Sequence, residues 1–259
     1  MTSFLVFATL CQRVEETSGS LDKIDLVAAF LGKLDEAELA VCCNYVMGTL
    51  FPPGLDLDLG VGPSILYQAL ARACGCPLAQ VTDLLRATGD PGLVAAGMVE
   101  KKRPQGLAAF LDRGDEEEST LSIIEVHNRF LAIARSSGRR SQDIKIKNLQ
   151  FLFSHASPIE ARYIARLAIE DMRIGVGEGG IRDAVARAFD AAGADSEKVE
   201  RGYNLTNDMG LVAAAARKGT LDSLTVMINH PIKMMLATLG EGIPAALAEM
   251  GTAAVEWKY

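Results

Sequence analysis

The apolar positions of this chain fall in runs that read as helices, and residues that start or stop a helix bound each run. The opening "MTSFLVFATLCQR" reads as a first helix, because it lacks the basic front and small-residue cleavage site of a leader. In "LDEAEL", Asp35 stands as N-cap with Glu38 at the third helical position. In "SPIEARYIARLA", Ser157 caps, Pro158 takes the first helical position and Glu160 the third. Both pairs satisfy backbone N–H groups that a first helical turn leaves without partners. "GDPGLVAAG" opens the same way on Asp90 and Pro91, and "DMGLVAAAARKG" closes on Arg217, Lys218 and Gly219, with cations at the negative pole of the helix. Strand-like alternation is sparse until the last six residues, "AVEWKY" (254–259). The pattern predicts an all-α fold that ends on one short strand.

The helical pattern also repeats. "LGVGPSIL" (59–66) matches "IGVGEGGI" (174–181), with Gly60 and Gly62 on Gly175 and Gly177 at an offset of 115. "ALARA" (69–73) matches "AVARA" (184–188) at the same offset, and "TGDPGLVAA" (88–96) matches "TNDMGLVAA" (206–214) at 118. Asp35 and Glu38 fall on Ser157 and Glu160 at 122. Four ordered matches predict two related helical halves, about 20–115 and 121–225, within a helical domain of residues 1–228. The charged stretch "KKRPQGLAAFLDRGDEEEST" (101–120) joins them as an exposed loop.

Composition adds limits. Apolar residues make up 49% of the 259, ample for a packed core, and no apolar run reaches the length of about 18 that a membrane span needs. Five cysteines without a C-x-x-C pair read as buried, reduced thiols of a cytoplasmic protein, and three scattered histidines point away from a metal site. The net charge of −7 repels nucleic acid on average, but the charge is not uniform. Residues 1–134 hold 10 Lys and Arg against 18 Asp and Glu, whereas residues 135–187 hold 10 against 6. The basic stretch is where candidate chemistry gathers.

In "EDMRIGVGEGGIRDAVARAF", Arg173 precedes Gly175-Val176-Gly177, and a helix starts near Gly180. Such glycines let backbone N–H groups at a helix N-terminus approach a phosphate; they serve equally as a tight turn between packed helices. In "SSGRRSQDIKIKNLQFLF", Arg139 and Arg140 stand in a loop, Ser141 is the expected N-cap, and Ile144, Leu149 and Leu152 are expected to face the core. That leaves Lys145 and Lys147 for solvent, either as a plain charged face or, with Arg139, Arg140, Arg162, Arg166 and Arg173, as a phosphate-tracking surface.

Together these stretches resemble a family. The run "SQDIKIKNLQFLFSHASPIEARYIARLAIEDMRIGVGEGGIRDAVARAF" is similar to the core of the N-terminal DNA-binding domain of ATP-dependent DNA ligases of the archaeal and eukaryotic type, and "YNLTNDMGLVA" to the segment that follows it. "HPIKMMLA" (230–237) resembles the lead-in to that family's adenylation domain, with Lys233 in place of a second proline. "EWKY" resembles the start of the adenylation motif Lys-x-Asp-Gly-x-Arg. The resemblance implies that residues 229–259 are a linker and the first strand of an adenylation domain, and that the chain is a fragment cut just inside it. It implies that Lys258 is the nucleophile that takes AMP from ATP with Mg²⁺, and that Glu256 and Trp257 line the adenine side.

The resemblance further implies that the helical domain grips nicked duplex across the minor groove, for nick sealing in replication, repair and recombination. By position the DNA contacts would be Arg139, Arg140, Lys145, Lys147, Arg173, Gly175 and Gly177, with Gly60 and Gly62 in the matching turn. The first half carries Asp56 and Asp58 where the second has Asp171 and Arg173, which leaves backbone N–H groups to hold phosphate there. Archaeal members also carry a sliding-clamp segment between the halves; Gln105 and Phe110 are the candidates here. The fragment alone is expected to bind duplex DNA near the nucleoid but not to seal it. The rival reading is a helical-repeat scaffold for protein partners without DNA affinity.

Overall fold

The computed structural model describes residues 1–102, 121–228, 230–234, 240, 242–252 and 254. Among them stand α1 (Phe4–Glu16), α2 (Ser20–Leu31), α3 (Glu36–Met47), α4 (Pro63–Cys74), α5 (Leu78–Thr88) and α6 (Pro91–Lys102). After the connecting segment come α7 (Ile123–Ala134), α8 (Ser141–His155), α9 (Pro158–Ala168), α10 (Glu178–Ala188), α11 (Ser196–Thr206), α12 (Met209–Arg217) and α13 (Ile243–Met250). The fold is all-α, and the β-pairing among the described residues is a single antiparallel bridge between Ser3 and Ser122.

Local chemistry sets the helix ends. Asp35 and Ser157 both close capping boxes with Glu38 and Glu160, and Asp90 accepts from the amides of Gly92 (2.8 Å) and Leu93 (3.4 Å) at the start of α6. α1 buries Phe4, Phe7, Ala8, Cys11 and Val14, a stripe at three- and four-residue spacing. Cys11, Cys42 and Cys43 are buried free thiols, and burial pushes all three up, away from the reactive thiolate.

The helices pair crosswise. α2 packs on α10, and its counterpart α8 packs on α4. α3 packs on α12, and its counterpart α9 packs on α6. α3 also meets α7, as α9 meets α1. The bridge joins the starts of α1 and α7: the amide of Phe4 donates to Leu121 O at 2.8 Å, and that of Ile123 to Thr2 O at 3.1 Å. Ser3 and Ser122, 119 residues apart, cap α1 and α7. Two glycines permit the closest crossings. A Cβ at Gly92 would stand 2.9 Å from Arg162 O, and one at Gly210 would stand 2.7 Å from Ala40 O. The two halves are interlocked, so a single apolar core runs through both.

Two sequence expectations shift here. α6 extends through Lys101 and Lys102, which were read as the start of the loop. Ile243–Met250 forms a helix that the reading of 229–259 as linker and strand omitted. Of the expected strand 254–259, all but Ala254 lies outside the described residues, as do Gln105 and Phe110 of the clamp candidate.

Candidate nucleic-acid interface

Two turns of matching build stand at the N-termini of α4 and α10. In the first, Leu59 is buried, Gly60 is exposed at φ +55°, and Gly62 is the N-cap of α4 with no side-chain hydrogen bond to it. In the second, Ile174 is buried, Gly175 is exposed at φ +69°, and Gly177 is the N-cap of α10, again without a side-chain cap. The positive φ is why glycine stands at 60 and 175, since a side chain there would strain the backbone. α10 therefore presents its first amides to solvent, whereas α4 presents that of Ser64, since Pro63 has no N–H and Ile65 N already donates to Gly62 O. α10 starts at Glu178, two residues before the expected Gly180, because Gly177 already has the extended N-cap conformation.

The turns are neighbours. Gly48, which ends α3, lies against Glu170 O and the Met172 side chain, and burial together with the Asp58 charge raises the Glu170 carboxyl. The loops after α3 and α9 thus run side by side and bring both turns to one region. Their charges differ. Asp58 folds back on its own turn and accepts from Gly60 N at 2.8 Å. Arg173, at φ +56°, donates through Nε to Asp171 at 2.7 Å and keeps Nη1 3.9 Å from Asp90. Its side chain remains 43% exposed, so it can still reach an anion.

Each turn is held by a lysine from the other half. Lys145 Nζ, on α8, donates to Leu59 O (2.7 Å) and Gly60 O (2.9 Å). Lys23 Nζ, on α2, donates to Ile174 O (3.1 Å). Lys145, expected free in solvent, is half-buried and engaged, because α8 lies along α4 and carries it over the turn. Lys23 escaped the sequence reading; the signal was its offset of 122 from Lys145, the same as that from Asp35 to Ser157.

The rest of the basic stretch divides. Arg139, Arg140 and Lys147 are exposed at the start of α8, the helix whose Lys145 reaches the first turn. Arg140, not Ser141, is the N-cap residue, and Ile146 rather than Ile144 enters the core. Leu149 and Phe153 share the face of Ile146 at helical spacing, and Ile144 is out of phase with them. Arg166 is only 2% exposed. Its guanidinium donates to Asp90 (2.6 Å), to Glu15 (2.8 Å) and to Met172 O (3.2 Å). Arg162 also pairs with Glu15, at 2.9 Å, and Tyr163 OH donates to Glu15 at 3.0 Å. Burial alone would raise the Asp90 and Glu15 carboxyls, but the Arg166 contacts overcome it and hold both below their ordinary range. Arg162 and Arg166 are therefore part of the frame beneath the second turn and not of its surface.

Lys233, standing where the resemblance has proline, returns to the same region. Its amide donates to Asn204 O at 3.1 Å, its ammonium pairs with Glu178 and lies 5.0 Å over the Tyr203 ring, and His230 rests by Gly54. Among the described residues no group of His, Cys, Asp and Glu forms a metal site, and no helix is long and apolar enough to cross a membrane.

The family described as DNA ligase N terminus matches residues 3–186. The chain is 56% identical over its whole length to the DNA ligase of Methanothrix thermoacetophila, covering 45% of that protein. It is 45% identical to DNA ligase 2 of Methanosarcina acetivorans and 42% identical to the DNA ligase of Archaeoglobus fulgidus, again covering 45% of each. The chain thus spans less than half the length of these curated relatives.

Proposed function

This chain belongs to the DNA ligase family through its N-terminal region, and on that premise we propose that it is the part that grips duplex DNA at a nick. The observation that carries the reading is the pair of neighbouring glycine turns, each opening an uncapped helix N-terminus toward solvent. Exposed amides with a partial positive charge suit the phosphates on the two strands bordering a minor groove. Arg173 in the second turn, and Arg139, Arg140 and Lys147 on and before the helix that sends Lys145 to the first, add exposed cations. Lys145 and Lys23 add charge just behind the turns. Binding of this kind follows the backbone and carries no base preference.

The proposal extends to the whole protein as ATP-dependent nick sealing, with Lys258 as the nucleophile and Glu256 beside the nucleotide. Both lie outside the described residues, and the resemblance of "EWKY" supports their roles. The 259-residue chain alone is expected to bind DNA and to form no AMP adduct.

Titration of a fluorescent nicked duplex at several salt concentrations tests the reading. Four exposed cations predict a slope of log K on log salt near −3.6, roughly a 150-fold loss over a fourfold rise in salt. Arg173→Glu should weaken binding well beyond Arg86→Glu, whose side chain is 81% exposed in a local pair with Asp83. No affinity at low salt would favour the protein-scaffold reading, and equal effects of the two reversals would remove the site assignment.

A further inference from the structure

We propose that Lys23 and Lys145 are positioning residues that set the two glycine turns from across the molecule, so that each DNA-contacting turn is completed only by the opposite half. The geometry is reciprocal. α2 packs on α10 and delivers Lys23 to Ile174 O; α8 packs on α4 and delivers Lys145 to Leu59 O and Gly60 O. These carbonyls precede or belong to residues at positive φ, where the chain reverses direction and cannot pair them within a helix. An ammonium, with three donors and no acceptor, satisfies them and holds the turn in one conformation.

The glycines and lysines also fit each other sterically. A Cβ at Gly60 would lie 2.5 Å from Lys145 Nζ, and one at Gly175 would lie 2.7 Å from Lys23 Nζ. The backbone angle requires glycine at each site, and a Cβ there would in addition push the flexible end of the lysine off its carbonyl. Lys145 spends two of its three donors on carbonyls, so it acts on DNA through the turn; Lys147, exposed on the same helix, is the candidate for direct phosphate contact. The consequence for DNA rests on the reading under Proposed function. The clamp itself does not.

Hydrogen exchange of the 259-residue chain measures the clamp without DNA. Lys23→Met should speed exchange of the Ile181 amide, which donates to Gly177 O, and leave those of Ile65 and Leu66, which donate to Gly62 O, unchanged; Lys145→Met should do the reverse. Lys→Arg at either site should restore protection, since it keeps the charge and donors. If a methionine variant fails to fold, the same comparison is made with Lys→Gln. Unchanged exchange in the methionine variants, or loosening of both turns by either one, overturns the proposal.

Nicked duplex provides the second arm. Lys23→Met and Lys145→Met should weaken binding about fivefold to tenfold with the salt slope kept, whereas Lys147→Met should flatten that slope by about 0.9. Gly175→Ala combined with Lys23→Met should bind no worse than the weaker single variant, because both disturb one contact. A slope reduced by about 0.9 in Lys145→Met would make it a direct phosphate ligand and refute the positioning role. If the unsubstituted chain has no DNA affinity, the function reading falls and takes this arm with it, while the exchange pattern stands or falls separately.

Discussion

Arg166 and Arg86 place the same guanidinium in opposite surroundings, and the two should respond differently to removal. Arg166 is buried between Asp90, itself 8% exposed, and Glu15. Arg166→Met leaves the buried Asp90 with Arg173 at 3.9 Å, while Glu15 keeps Arg162, and should cost about 3 kcal/mol in urea unfolding. Arg86→Met removes a solvent-exposed pair and should stay within about 0.5 kcal/mol. Gly210→Ala tests a steric limit instead: the new methyl would meet Ala40 O and Cα at 2.7 and 2.9 Å, which are backbone atoms that cannot swing away. A loss of about 1–3 kcal/mol is expected, read as a lower denaturant midpoint. At this scale the sequence was a partial guide. It identified Asp35, Glu38, Ser157, Glu160 and Asp90 correctly as capping residues, because a cap is decided within four residues of chain. It grouped Arg166 with Lys147, because charge alone does not reveal burial.

Between elements, the Arg166 cluster ties α1, α6 and α9 together and supports the loop that carries Arg173. Its carboxylates make the tie sensitive to acid. Asp90 and Glu15 are held below their unfolded values, so their stabilisation is present above about pH 4 and is lost as pH falls through the folded values. Thermal melts should therefore drop below about pH 4, and Arg166→Met should melt lower at pH 7 but with a shallower acid slope. An equal slope in both proteins would place the acid-sensitive groups elsewhere. The α8 face shows what element-level reading can miss. Periodicity placed a helix there and found Leu149 and Leu152, but it chose Ile144 over Ile146. Both isoleucines flank Lys145, and only the packing of α8 on α4 decides which of them turns inward.

For the molecule as a whole, the crosswise pairing predicts one cooperative unfolding transition. Neither half has a closed core of its own, since α2 and α3 pack on α10 and α12, while α8 and α9 pack on α4 and α6. The most protected amides of α1–α6 and of α7–α12 should therefore exchange with the same free energy; two distinct values would mean that the halves are separable. The repeat, the capped helices, the all-α class and the glycine turns were legible in the sequence, because each is set by local backbone chemistry or by matching residues at a near-constant offset. The partners were not. Lys23 meets Ile174, Lys145 meets Gly60, and Arg166 meets Asp90 and Glu15, across 151, 85, 76 and 151 residues of chain. Which charges face water and which are consumed inside depends on helices that converge from distant parts of the chain, so only the tertiary structure decided it.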